Sequence, residues 1–236
     1  MQIQKSQESQ RLLKSVKEFF NGSKELNLRR NEVEKGLSEI EQAFIKKFSA
    51  DSYLLDIGCA TGRLCFALTQ QGYTVTGIDV AEKQIEQAQQ IAEKEKIDAT
   101  FLHYNPPTLP FPDASFAAAF LIRTYCYVPH RAARIAFLGE IARVLSPGGC
   151  LFMTQHVLDP FLDSYEPTYD DNYHESALDY ETLEEGDNFT SGIPSYVRYF
   201  LAADLKAELE ESPFQLVDSS AEQELLSCIL QKRDTD

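Results

Sequence analysis

Asp56, Gly58 and Gly62 fall within one run, Leu54-Leu55-Asp56-Ile57-Gly58-Cys59-Ala60-Thr61-Gly62-Arg63-Leu64, which reads as an apolar strand, a glycine-bearing turn and the start of a helix. Glycines in such a turn let the backbone approach a ligand closely, and an open α/β sheet presents its ligands at the carboxyl ends of the strands. The run is therefore a candidate nucleotide site. A dinucleotide fingerprint would need glycine at 58, 60 and 63, whereas this chain has Gly58, Ala60 and Arg63, which speaks against nicotinamide or flavin chemistry. A second acid, Asp79, closes the next apolar run in Gly77-Ile78-Asp79-Val80. A carboxylate there can accept hydrogen bonds from both hydroxyls of a ribose, whichever cofactor carries it.

These residues need a sheet to hold them. Short apolar runs alternate with helical segments from Tyr53 onward: 53–57, 64–70, 74–78, 81–95, 99–103, 117–122, 132–145 and 150–156. Strand and helix in alternation predict an α/β fold with a mostly parallel sheet and right-handed crossovers. Pro147-Gly148-Gly149 is expected to stop a helix before the strand 150–156. Two later runs, Phe214 to Val217 and Leu225 to Leu230, predict an antiparallel hairpin that ends the sheet, after a helix at about 202–211. The first fifty residues carry Leu12, Leu13, Val16, Phe19 and Phe20, then Val33, Leu37, Ile40, Phe44, Ile45 and Phe48, at helical spacing. They predict two amphipathic helices broken near Asn21-Gly22-Ser23, a cap over residues 1–50 packed on a main domain of 51–236. Between Leu158 and Val197 there are eleven Asp or Glu residues and no Lys or Arg, a composition shift that marks an inserted lid at about 158–197.

The turn at 54–64 resembles the first motif of the class I S-adenosylmethionine-dependent methyltransferases, in which an acid at the strand end precedes a turn keeping Gly58 and Gly62. Three further segments match that family in order. Gly77-Ile78-Asp79-Val80 is similar to its second-strand acid. Thr100-Phe101-Leu102-His103-Tyr104-Asn105 and then Leu109-Pro110-Phe111-Pro112-Asp113-Ala114-Ser115-Phe116 resemble its third-strand segment, and Arg143-Val144-Leu145-Ser146-Pro147-Gly148-Gly149-Cys150-Leu151 its helix-to-strand corner. The resemblance covers roughly the middle hundred residues. It implies a Rossmann-like fold with a seven-stranded, mostly parallel sheet, helices on both faces, S-adenosyl-L-methionine as cofactor and methyl transfer as activity. It also implies that Asp56, Gly58 and Gly62 hold the methionine portion, Asp79 the ribose and Asn105 the adenine amino group, with Val80 and Tyr104 flanking the adenine ring. Asparagine replaces the family's usual aspartate at 105, and its carbonyl oxygen still accepts the hydrogen bond. Asn105-Pro106-Pro107-Thr108 differs from the Asn-Pro-Pro-aromatic motif of amino-nitrogen methyltransferases, because it follows the third strand and ends in threonine.

Displacement at a sulfonium proceeds largely through positioning and desolvation of the nucleophile, so no universal catalytic residue is implied. Where the acceptor must lose a proton, His156 at the end of the fifth strand is the first base candidate. Tyr125 and Tyr127, after the fourth strand, are candidates to line the acceptor pocket, whereas His130 is expected at the surface. Tyr165, Tyr169 and Tyr173 share i, i+4, i+8 spacing, so a helix starting near Pro167 would align them. With the surrounding acids they suggest an amine-bearing or cationic acceptor, Tyr169 being the candidate contact. No metal-ligand spacing stands out, so no metal is expected.

Composition narrows the partner. With 37 acidic against 22 basic residues the net charge is -15, so the average field repels phosphate backbones and anionic membrane surfaces. A small-molecule acceptor is favoured, nucleic acid and membrane are not, and methylation of a protein or RNA and a non-catalytic cofactor-binding interaction module are the alternatives. Monomer and homodimer are equally compatible with the sequence. Five cysteines without a CxxC pair read as buried thiols of a reducing compartment. Met1-Gln2-Ile3-Gln4-Lys5 opens no signal-peptide core, and a cytoplasmic location is expected.

Overall fold

The computed structural model describes residues 2–158, 175–190, 193–222 and 224–233. Nine strands are formed among them: β1 Tyr53–Ile57, β2 Thr74–Asp79, β3 Thr100–His103, β4 Phe116–Ile122, β5 Leu145–His156, β6 Asp187–Phe189, β7 Tyr196–Arg198, β8 Phe214–Glu222 and β9 Leu225–Lys232. The seven-stranded sheet has the order β3-β2-β1-β4-β5-β9-β8, and β6 pairs separately with β7. Strands β1 to β5 run parallel, and β9 lies antiparallel between β5 and β8. Helices α4 Arg63–Gln70, α5 Glu82–Glu95, α6 Arg131–Val144 and α7 Ala202–Glu210 make the connections, and α1 Gln2–Phe20, α2 Ser23–Glu32 and α3 Glu39–Ile45 precede the sheet.

Strands buried on both faces must be apolar at every position, and the central strands send alternate residues into two cores. Leu54, Ala118, Phe120 and Phe152 face the core that also holds Phe44, Leu64, Leu68 and Ile85. Leu55, Ile57, Ala119, Leu121, Leu151 and Met153 face the core of α6 and α7, with Leu138, Ile141, Leu205 and Leu209. The third and fourth matching segments form one clasp at the bottom of the sheet. Arg143 donates to the carbonyls of Leu109 and Phe111 and to Asp113 at 2.8–3.0 Å, while Glu140 accepts the N–H of Leu109 at 3.0 Å.

Three local expectations are corrected. The second amphipathic helix is two: Gly36, at φ 64, separates a short 3-10 turn at Val33–Lys35 from α3, which Ser38 and Glu41 start with a reciprocal capping box. Pro147-Gly148-Gly149 lies inside β5 rather than before it. Leu145 already pairs with Phe116, and the three residues sit beside a register shift between Phe116 and Ala118, a bulge that tolerates proline's missing N–H. Finally, β8 runs on to Glu222, well past Val217, because β9 offers it a partner as far as Leu225. The expected helix of Tyr165, Tyr169 and Tyr173 lies outside the described residues. The described part of the insertion contains the β6–β7 hairpin, which packs Phe189 and Tyr196 on Leu12 and Val16 of α1. Among the described residues no helix is long and apolar enough to cross a membrane.

Helices α6 and α7 are joined by a charge pair inside the core. Arg134, fully buried, donates from Nη2 to Glu208 at 2.7 Å, and Glu208 also accepts the hydroxyl of Tyr125 at 2.8 Å. Removing one member of such a pair strands a buried charge and costs about 3–5 kcal/mol, whereas an apolar replacement of both is close to neutral. Arg134→Met is thus expected to lower the urea midpoint by that equivalent, and Arg134→Met with Glu208→Leu to recover most of it, both read by circular dichroism.

Candidate active site

The sheet order reverses between β1 and β4, and the strand ends on both sides of this switch open into one cavity of about 500 Å³. Its cofactor-facing half is the β1–α4 turn and the end of β2. Gly58 and Cys59 both donate their N–H to the carbonyl of Ile78, at 2.8 and 3.1 Å, which fastens the turn to β2. Gly58 has φ 76, and a Cβ on it would stand 2.3 Å from Thr124 Oγ1, so only glycine fits between the turn and the loop after β4. Gly62 has φ 91, but it does not line the cavity. Its missing side chain makes room for the Phe66 and Phe101 rings, a Cβ falling 2.7 Å from Phe101. The structure therefore gives Gly62 a packing reason, where the motif implied contact with the methionine portion.

Asp79 is 8% exposed and lines the cavity. Its Oδ1 accepts the N–H of Ala81 at 2.8 Å and its Oδ2 the N–H of Ala60 at 2.9 Å. A carboxylate offers about four acceptor positions, so the two backbone bonds leave capacity for a diol. Burial raises the Asp79 pKa and these N–H groups oppose the rise. Val80 and Tyr104 line the same end, the N–H of Tyr104 donating to the Asp79 carbonyl at 3.1 Å. Asn105 is not brought there: it is exposed, stands outside the lining and accepts Lys17 Nζ of α1 at 2.7 Å. Asp56 is in the wall, buried, and accepts the Cys65 thiol at 3.3 Å. Burial pushes its carboxyl up to about 7, against the Cys65 hydrogen bond and the Arg63 charge. Two carboxylates as acceptors, a glycine-bearing turn and the apolar surfaces of the Val80 side chain and the Tyr104 ring form a lining that fits S-adenosylmethionine.

The other half of the cavity belongs to β4, β5, the hairpin and the first helix. His156, exposed at the end of β5, is in the wall. Partial burial, and then the Arg123 charge, lower its pKa below the usual 6.5, so the ring is neutral at neutral pH and free to take a proton. Tyr127 lines the cavity and packs edge-on against Phe20 of α1 at 5.0 Å. Tyr125 does not: it is fully buried and stacked on Phe200, with its hydroxyl on Glu208. Residues 125–127 form a 3-10 turn rather than a strand, and at three residues per turn Tyr125 and Tyr127 cannot share a face. His130, expected at the surface, is 2% exposed, because the insertion folds back over the start of α6, where Glu184 accepts the N–H of Arg131 at 2.7 Å. Tyr169 lies outside the described residues.

Sequence reasoning passed over Arg123, Gln155 and Arg198, which also line the cavity, as do Val16, Phe20 and Arg29 of α1 and α2. Arg123 could have been found from its place directly after Ile122 at a strand end, whereas nothing local to the first helices announces what they cover. Among the described residues no group of three or more His, Cys, Asp or Glu is placed to hold a metal ion, and all five cysteines are free thiols.

A cationic group set against Asp56 favours its ionised form. Binding of S-adenosylmethionine is therefore expected to release a proton near pH 7 and to tighten as pH rises from about 6 to about 8. Calorimetry in two buffers of different ionisation enthalpy measures that release, and Asp56→Asn should abolish it.

Comparison with known proteins agrees with this geometry. Residues 54–149 match the model of the family described as "Methyltransferase domain". The chain is 37% identical over 114 residues to 27-O-demethylrifamycin SV methyltransferase of Amycolatopsis mediterranei, covering 47% of this chain and 41% of that protein. It is 35% identical over 114 residues to an O-methyltransferase of Aspergillus sclerotiorum, covering 47% and 42%. The match thus spans less than half the length of these curated relatives. Among solved structures, a methyltransferase of Methanosarcina mazei described as SAM-dependent superposes with a TM-score of 0.70 at 25% identity, covering 84% of this chain and 98% of that one. The turn, the sheet order and these matches converge: residues 54–149 carry a methyltransferase domain, and the chain has the Rossmann-like fold of S-adenosylmethionine-dependent methyltransferases.

Proposed function

We propose that this protein transfers a methyl group from S-adenosylmethionine to an oxygen of a small-molecule acceptor, with His156 as the base. The observation that carries the proposal is that one cavity joins the carboxylates of Asp56 and Asp79 to the imidazole of His156. Relatives whose printed names describe O-methyl transfer support the choice of oxygen. When bound, S-adenosylmethionine supplies a methyl group on a positively charged sulfur, open to in-line displacement. In this reading Asp79 holds the ribose, Asp56 the methionyl ammonium, Gly58 permits the close approach, and Val80 and Tyr104 pack on the adenine. Gly62 supports the turn from behind, and Asn105 reaches the adenine only by leaving Lys17. His156 accepts the acceptor hydroxyl proton and, being exposed, passes it to solvent. Phe20, Val16 and Tyr127 exclude water from the cavity.

The cover is proposed to consist of the cap, residues 1–50, and the lid at about 158–197. Its support is the packing of α1 on β7, where Ser15 accepts the N–H of Tyr196 at 3.1 Å, and on the segment before β6, where Glu8 accepts the N–H of Thr182 at 3.0 Å. A covered cavity suits a metabolite better than a protein or RNA. The amine-bearing acceptor draws less support. Tyr180 already holds Arg11 over its ring at 4.7 Å and stacks on Phe189, while Tyr196 donates its hydroxyl to Asp187, so these tyrosines of the insertion serve packing.

Titration with S-adenosylmethionine and S-adenosylhomocysteine should show micromolar binding that Asp79→Ala loses, and phenols and carboxylates should then be methylated ahead of amines. Absence of binding by the wild-type chain would refute the proposal, and binding without turnover on a broad acceptor panel would favour the interaction module. His156→Gln is expected to lower kcat by roughly 10²–10⁴ with cofactor affinity retained. In the wild type, kcat/KM should fall as pH drops through a value below 6.5, where the imidazole takes up its proton, and His156→Gln should remove that limb of the profile.

A further inference from the structure

The arginines in the cavity wall are neutralised by the protein itself, with one exception. Arg29 pairs with Glu25 and Glu32, Arg63 with Glu41 and the Gly36 carbonyl, and Arg198 with Asp187 and the Glu185 carbonyl. Arg123, at the end of β4, makes no side-chain hydrogen bond or ion pair among the described residues, in a chain with fifteen more acids than bases. Its backbone is also unusual. Arg123 has φ 50, in the left-handed region that side chains other than glycine avoid, and is held there by its N–H on the Thr154 carbonyl at 2.9 Å and by the Cys126 thiol on its own carbonyl at 3.6 Å. Such conformations persist where the surroundings over-determine them, and they cluster at ligand sites.

Among the described residues its surroundings lack the matching anion. On neighbouring β5, Gln155 is 3% exposed and in the cavity wall, and its Oε1 is without a partner while its Nε2 donates to the His156 carbonyl at 3.3 Å. Glu224 reaches the wall from the β8–β9 turn but stands beyond ion-pair distance of Arg123, and its influence on His156 is weaker than that of the guanidinium. A planar guanidinium presents its donors as a fork that matches a carboxylate or an ionised phenol better than any neutral group. We infer that Arg123 binds an anionic oxygen group of the acceptor, so that this half of the cavity selects anionic molecules over neutral and cationic ones of the same shape. That the bound anion belongs to the methyl acceptor rests on the methyl-transfer reading; the anion site itself rests on Arg123.

Benzoate, benzamide and benzylamine are near-isosteric probes of negative, zero and positive charge, and their binding to the whole chain can be followed by NMR with and without S-adenosylhomocysteine. The wild type is expected to bind benzoate at least roughly tenfold more tightly than benzamide, with benzylamine weakest. Arg123→Gln should bring benzoate to the level of benzamide and leave the affinity for S-adenosylhomocysteine unchanged, and Arg123→Lys should keep part of the preference. Equal binding of the three probes, no binding of any, tighter binding of benzylamine, or a benzoate preference that survives in Arg123→Gln would each overturn the inference. Benzoate preference in a wild-type chain that fails to bind S-adenosylhomocysteine would instead refute the methyl-transfer reading and leave the anion site standing.

Discussion

The structure around the cavity depends on the carboxylate of Asp79 and its two backbone partners. One oxygen takes the N–H of Ala60 in the β1–α4 turn and the other the N–H of Ala81 at the start of α5. A single side chain thereby ties together two strand ends and two helix starts. Buried N–H groups left without an acceptor would cost about 1–3 kcal/mol each, so the pairing is strongly specified. It also sets the backbone of Ala60, which takes the left-handed conformation that glycine occupies in dinucleotide turns. The same carboxylate faces the cavity, so one acid both builds the turn and presents the remaining acceptor capacity to a ligand.

Elsewhere among the described residues, several buried charges are bonded more than once. Arg63 and Glu41 join α4 to α3 through two bonds of 2.7 and 2.9 Å, Arg134 and Glu208 join α6 to α7, and Asp187 holds Tyr196 and Arg198 within the hairpin. Each of these groupings fixes one element, or one strand of the hairpin, against another. The overall negative charge is thus compatible with a cavity wall that is locally balanced, and locally positive at Arg123.

The alternation of apolar runs from Tyr53 to His156 sufficed to read the parallel sheet, because strands buried on both faces must be apolar throughout and the helices between them must be amphipathic. That Asp56, Gly58 and Asp79 share one cavity is equally legible, because strand ends at a reversal of sheet order meet there. What failed had a common cause. Position in sequence says little about Tyr125, His130 and Asn105, whose surroundings come from distant segments: Glu208 and Phe200 enclose Tyr125, Glu184 covers the region of His130, and Lys17 takes Asn105. At Gly62, glycine in a turn signals close approach without saying what approaches, and in the structure the Phe101 ring stands there.

The cover and the sheet differ in how far apart along the chain their partners lie. Within the sheet domain β1 finds β2 about twenty residues on, whereas Glu8 finds the N–H groups of Glu181 and Thr182 at separations of 173 and 174 residues. Contacts of such separation carry a large loop-closure entropy and form late. A chain leaving the ribosome would therefore complete the Asp79 turn and the first five strands while α1 still lacks the hairpin it packs on. The nucleotide-facing wall of the cavity thus precedes the wall that α1 and the hairpin supply, and the two halves of one site come from contacts of very different reach along the chain.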